Sequence, residues 1–189
     1  MLRLAQMKLP DAEAAMIEAL DHPLPEVRIA AARRLAERGN VKALSGLIEG
    51  TRRERWGGLF ERQVAQIGSA AIPGLLAALN DEGPAVRCDL VRALEQIGDP
   101  AVVPEIIKLL RDTHPLVRQA AMRALKCLGT PEALSAMDAA LPGLIRDLED
   151  ADKYVRYRAS MVLRDIGGEP ALAAVAEWER AQKQPPEQP

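Results

Sequence analysis

The sequence predicts an all-α protein: a right-handed α-α superhelix (an α-solenoid) of about five stacked helix pairs, closed by a C-terminal capping helix. Three observations carry this expectation. Four Val-Arg pairs are each followed, eleven residues after the arginine, by a glycine. The apolar residues between pair and glycine keep helical spacing. The composition is rich in Ala, Leu, Glu and Arg, with one Phe, two Tyr and two Trp in 189 residues, which favours helices over a β-sandwich or barrel.

The pairs are Val27-Arg28, Val86-Arg87, Val117-Arg118 and Val155-Arg156, and their glycines are Gly39, Gly98, Gly129 and Gly167. Gly68 belongs to the same series; eleven residues before it stands Gly57, preceded by Trp56, so a further copy carries Trp-Gly in place of Val-Arg. Successive glycines are 29, 30, 31 and 38 residues apart, the length of a two-helix repeat. Counting from the arginine as zero, positions −1, +3, +7 and +10 form one apolar stripe. It reads Val86, Leu90, Leu94, Ile97 in the third copy, and Trp56, Phe60, Val64, Ile67 in the second. The first copy, Val27, Ala31, Leu35, Arg38, fails at its last position. Glycine at each end suits a left-handed C-terminal residue.

First helices have their own signature. Ile72-Pro73-Gly74-Leu75, Val103-Pro104-Glu105-Ile106 and Leu141-Pro142-Gly143-Leu144 align, with proline placed where a first turn tolerates it. First helices are expected at 11–20, 41–49, 71–79, 101–111 and 132–149, and second helices at 25–38, 54–67, 84–97, 115–128 and 153–166. The fifth first helix is the longest, and Pro142 is expected to kink or split it.

These elements give one domain over 1–181, with repeats at about 11–39, 40–68, 69–98, 99–129 and 130–167 and a capping helix at 170–182. Leu2 to Leu9 reads as the tail of a second helix, a half-repeat opening the stack. Trp178 is expected to cover the last core face, and the Pro/Gln-rich residues 183–189 to be disordered.

Composition also bounds function. A formal net charge of −2 argues against a globally basic nucleic-acid binder. Cys88 and Cys127 lie far apart without CxxC spacing, so neither a disulfide scaffold nor a zinc site is expected, and a reducing, cytoplasmic setting is. Met1 to Leu9 lacks the apolar core of a signal peptide, and no run approaches the ~20 apolar residues of a membrane span. His22 and His114 occupy inter-helix turns about three repeats apart, too far to share a metal. No catalytic, cofactor-binding or metal-ligating set emerges.

The Asp-x5-Arg element, Asp81 with Arg87, Asp112 with Arg118 and Asp150 with Arg156, together with the preceding Val, resembles the HEAT-repeat family, in particular the short repeats named from phycobilisome lyases. The likeness covers about residues 11–168, with Asp21 and Arg28 one residue too far apart and Thr51 and Gly57 standing in the broken copy. It implies that the Asp and Arg form a hydrogen-bonded ladder between neighbouring repeats, interrupted at the second copy. The function expected first is that of a non-enzymatic adaptor whose concave face binds another protein. HEAT-like metalloenzymes that hydroxylate a modified lysine carry paired His-Glu motifs absent here. An alternative is a nucleic-acid binder akin to the HEAT-like DNA glycosylases, or a bilin lyase handling a chromophore.

Two places are candidates for contact. Position +5 lies roughly 160° from the apolar stripe and holds Arg33, Arg62, Arg92 and Arg123, with Met161 in the fifth copy and Arg158 and Arg164 nearby. Cys88 and Tyr157 are expected on the same face. Such arginines serve either as solvated helix formers or as a concave stripe for an acidic peptide, an acidic helix or a phosphate backbone. The second place is the broken repeat, where Arg53 or Arg55 and Trp56 pair basic and aromatic groups beside two glycines that each cost ~1 kcal/mol in a helix. The plainer alternative is that Trp56 fills the slot of the missing Val.

Overall fold

Proline opens three of the second helices, at Pro25, Pro84 and Pro115. In the computed structural model, which describes residues 9–53, 58–80 and 83–183, three second helices span the expected residues end to end. These are Pro84–Ile97, Pro115–Leu128 and Lys153–Ile166. All five repeat glycines have positive φ, between 64° and 74°. Gly68 and Gly167 pair that φ with ψ of −153° and −164°, a region open essentially only to glycine. Each therefore stops its helix and redirects the chain.

Every described helix falls in one of two units, Met1–Asp99 and Pro100–Pro189. The first unit holds α1 (Leu9–Glu18), α2 (Pro25–Ala36), α3 (Leu44–Arg53), α4 (Leu59–Ile67), α5 (Ile72–Ala78) and α6 (Pro84–Ile97). Here α2 packs on α3 and α4, and α4 on α6, so second helices lie side by side. The second unit holds α7 (Val103–Leu109), α8 (Pro115–Leu128), α9 (Pro131–Arg146), α10 (Lys153–Ile166) and α11 (Glu169–Lys183). There α8 packs on α7, α9 and α10, and α11 packs on α10 and α9 as a sixth first helix would. The described residues contain no strand, and the fold class is an all-α solenoid.

The predicted stripes are the core. Leu35, Val64, Leu90 and Leu94 are fully buried in the first unit, and Ala121, Leu125, Ala159 and Leu163 in the second. Each leucine so buried stabilises by about 1.5–3 kcal/mol. Phe60, the chain's single phenylalanine, fills the +3 slot of the broken copy and is 1 % exposed. Arg38 stays exposed, in keeping with the failure of the first stripe there.

First helices depart more from expectation. Short 3₁₀ turns, Val41–Ala43, Gly68–Ala71 and Pro100–Val102, precede α3, α5 and α7, and another, Asp147–Glu149, ends the α9 segment. Pro142 does not split α9, which runs unbroken from Pro131 to Arg146. Trp178 on α11 is half-buried. The half-repeat expected at Leu2–Leu9 lies outside the described residues except for Leu9, and the tail 183–189 lies outside them except for Lys183.

Candidate functional site

In the first unit the +5 position falls on three neighbouring second helices. Arg62 on α4 and Arg92 on α6 are exposed, whereas Arg33 on α2 is half-buried. Arg92 donates to Asp89 one turn earlier at 2.8 Å, an exposed pair worth little energetically. In the second unit Arg123 on α8 is exposed. Cys88, expected on the same face, is instead buried.

The α10 face is different. Tyr157 and Met161 are 55 % and 45 % exposed, and Tyr154, which the sequence reading passed over, is 52 % exposed. Arg164 is paired with Glu179 of α11.

At the broken repeat, Arg53 lies 3.8 Å from both Glu26 and Glu49, so it belongs to an ion-pair cluster between α2 and α3. Arg55 and Trp56 lie outside the described residues. Thr51, at the place of the motif's aspartate, is buried, and its hydroxyl has no hydrogen-bond partner among the described residues.

The position-zero arginines fold back into the turn before their own helix. Arg118 donates from Nη1 to the carbonyls of Asp112 and Thr113 at 3.0 and 3.3 Å. Arg156 does the same to Asp150 and Ala151 at 2.7 and 2.9 Å, and Arg28 to His22 and Pro23 at 2.6 and 3.0 Å. Arg28 then reaches Glu49 of α3 through Nε and Nη2 at 2.8 and 2.5 Å, while Nη2 of Arg118 reaches Asp147 at 2.5 Å.

The Glu49 carboxyl is held below the usual carboxylate range, chiefly by the hydrogen bond from Arg28. Attraction to Arg28, Arg53 and Arg52 adds to this, and burial opposes it. The Arg28 guanidinium is pushed up by the same bond. A depressed carboxyl stabilises the fold above its unfolded value of about 4.3, and that contribution is lost as pH falls through the lower folded value. Urea midpoints of the wild type should therefore fall as pH is lowered from 6 towards 3. Glu49→Gln should start less stable at pH 6 and lose less on acidification; parallel curves would remove Glu49 from the acid response.

The family model described as HEAT repeats matches residues 2–59 and 72–142, more than half of the chain. The chain belongs to the HEAT-repeat family. No curated protein matches it. Among solved structures it is similar to two engineered proteins of the Northeast Structural Genomics Consortium. One is 24 % identical, with 93 % of this chain and 87 % of that one covered and a TM-score of 0.47. The other is 23 % identical, with 94 % and 89 % covered and a TM-score of 0.48. A designed armadillo repeat protein in complex with the peptide (KR)4 is 22 % identical, with 96 % and 94 % covered and a TM-score of 0.47.

Within this HEAT-repeat chain two position-zero arginines reach the next repeat, and each does so through a carboxylate outside the Asp-x5-Arg motif. For Arg28 and Arg118 the inter-repeat acceptors are Glu49 and Asp147, from the following first-helix segment. Two of the motif's aspartates also brace their own turns: Asp112 and Asp150 accept the backbone N–H two residues on, both at 2.8 Å. His22 does the same through Nδ1, accepting from Leu24 N–H at 3.1 Å. His22 therefore holds the aspartate's place in the first repeat, and the spacing from Asp21 to Arg28 is no irregularity. His114 stands two residues further along its own turn and caps α8 by accepting from Leu116 N–H at 3.3 Å. The two histidines therefore differ in register, six and four residues before their arginines.

Among the described residues no cluster of three or more His, Cys, Asp or Glu could hold a metal ion, and no helix is long and apolar enough to cross a membrane.

Proposed function

We propose that this HEAT-repeat chain is a cytoplasmic, non-enzymatic scaffold that binds another protein through the outward face of its second helices, the partner presenting an acidic segment. The observation behind this reading is the recurrence of arginine at one register position on α2, α4 and α6, with Arg62 and Arg92 exposed. Helices packed side by side repeat about every 10 Å, so the guanidinium groups recur along the face of the first unit like rungs. Guanidinium groups suit carboxylates because their planar donors can bind two oxygens at once. Arg123 carries the same register into the second unit, and the α10 surface supplies Tyr157 and Arg164.

The test is a nuclease-treated lysate pull-down read by mass spectrometry. It compares wild type with the chain in which Arg33, Arg62, Arg92 and Arg123 are changed to serine. A protein retained by wild type and lost at least tenfold by the variant is the expected result. Equal retention by both would make the arginines solvated helix formers. Retention that requires added nucleic acid would favour a phosphate backbone as the ligand.

A further inference from the structure

Among the second helices of the second unit, α8 and α10 repeat the same register, and their +1 residues have opposite fates. Gln119 on α8 is fully buried: α10 lies over it, and its Nε2 donates to the Val155 carbonyl at 3.3 Å. The equivalent residue on α10 is Tyr157, 55 % exposed. The position is thus a helix-receiving one, and on α10 no described element receives it. Both tyrosines of the chain stand on that face, with Met161 one turn beyond Tyr157.

At about 100° per residue, Tyr154, Tyr157 and Met161 fall within about 60° of one another, forming a single ridge about 10 Å long. Arg158 lies about 40° beyond one edge of the ridge and Lys153 about 40° beyond the other. Their charges are unanswered: neither has an ion-pair partner among the described residues, whereas Arg164 meets Glu179 and Asp165 meets Lys126 at 3.6 Å. Tyrosine, methionine and arginine are the residue types enriched at protein contacts.

We infer that the Tyr154–Tyr157–Met161 face of α10 docks an amphipathic helix of another protein, one with an apolar seam at i, i+3, i+4 and i+7 flanked by Asp or Glu. The neighbouring α8 face argues for a helix, because a helix is what covers the equivalent position there. The two unanswered cations argue for acidic flanks. A second copy of this chain laid antiparallel on α10 would bring Lys153 and Arg158 against their own kind. This inference rests on the chain being a protein-binding scaffold; it shares Tyr157 with that reading but none of the rung arginines.

A displayed library of helical peptides with randomised seam and flanks, panned on the full chain, tests it. Enrichment of aliphatic seams with Asp or Glu flanks is expected, competed away by excess soluble wild type. Tyr157→Ala with Met161→Ala, both at exposed positions, should weaken the selected peptide at least tenfold. Arg158→Glu should weaken it several-fold and improve a variant peptide with lysine flanks. Basic or unpatterned winners, no enrichment, or undiminished binding by the double variant would overturn the inference. So would a concentration-dependent dimer abolished by the double variant, which would give the face to a second copy. The variant lacking the four rung arginines should bind the peptide normally. If it alone loses lysate partners while the α10 variant loses none, the scaffold reading stands and the α10 inference falls.

Discussion

Replacing Arg118 with methionine should cost the second unit about 3–5 kcal/mol, the penalty for leaving a buried charge without its counter-charge. The Asp147 side chain is 6 % exposed; one oxygen accepts from Arg118 and the other has no partner among the described residues. Removing the guanidinium also frees the carbonyls of Asp112 and Thr113, which it ties to the start of α8. An exposed pair such as Lys108 with Glu105 would cost no more than ~1 kcal/mol. Urea unfolding followed by circular dichroism checks the value. Arg118→Met combined with Asp147→Leu should recover most of the loss, because the orphaned carboxylate goes with its partner. A loss below ~1 kcal/mol for the single change would mean that water reaches Asp147 and the ladder adds little.

That arginine was legible in the sequence, and its acceptor was not. The repeat could be read because both ends of a second helix are marked chemically. Pro84 and Pro115 open α6 and α8 at positions that need no N–H donor, and Gly98 and Gly129 close them in the left-handed conformation. First helices lack such a stop, so α3 runs on to Arg53 and α7 shortens to Val103–Leu109. Glu49 and Asp147 lie 21 and 29 residues after their arginines. No fixed spacing links them, since each comes from wherever a first-helix segment of variable length passes the turn. His22 was hidden for a different reason: an imidazole Nδ1 can accept the same N–H as an aspartate oxygen, but a search for the letter Asp finds Asp21. On the candidate faces, periodicity separated inside from outside correctly for Arg62, Arg92 and Arg123. It missed the burial of Cys88 and the exposure of Tyr154, because cover by a neighbouring helix is a property of the stack.

The same dependence on neighbours makes Gly46→Ala the sharpest steric prediction. Where α3 crosses α2, a Cβ on Gly46 would lie 2.6 Å from the Ala32 Cβ and 3.2 Å from the Arg28 carbonyl oxygen. Ala32 is fully buried and has no further rotamer to turn aside, so the helices themselves must part. Overpacking of this kind costs typically 1–3 kcal/mol and outweighs the ~1 kcal/mol that alanine gains over glycine in a helix. A net loss of about 1 kcal/mol in urea unfolding is expected. Two other glycines set the scale. At Gly74 the new Cβ meets only the end of the Leu44 side chain, which can rotate, so the loss should be smaller. At Gly143 it meets nothing within 4 Å, and alanine should stabilise α9 by about 0.5–1 kcal/mol. The Gly46 change should also reach the electrostatics. Glu49 lies one turn beyond Gly46 on α3 and is held by Arg28 of α2, so parting the helices stretches that bond. The variant should accordingly lose part of the acid sensitivity that Glu49 confers. Ala32→Gly in the same chain should restore both stability and acid response in part. If Gly46→Ala alone left the unfolding midpoint unchanged, the distance between α2 and α3 would be set elsewhere than at this contact.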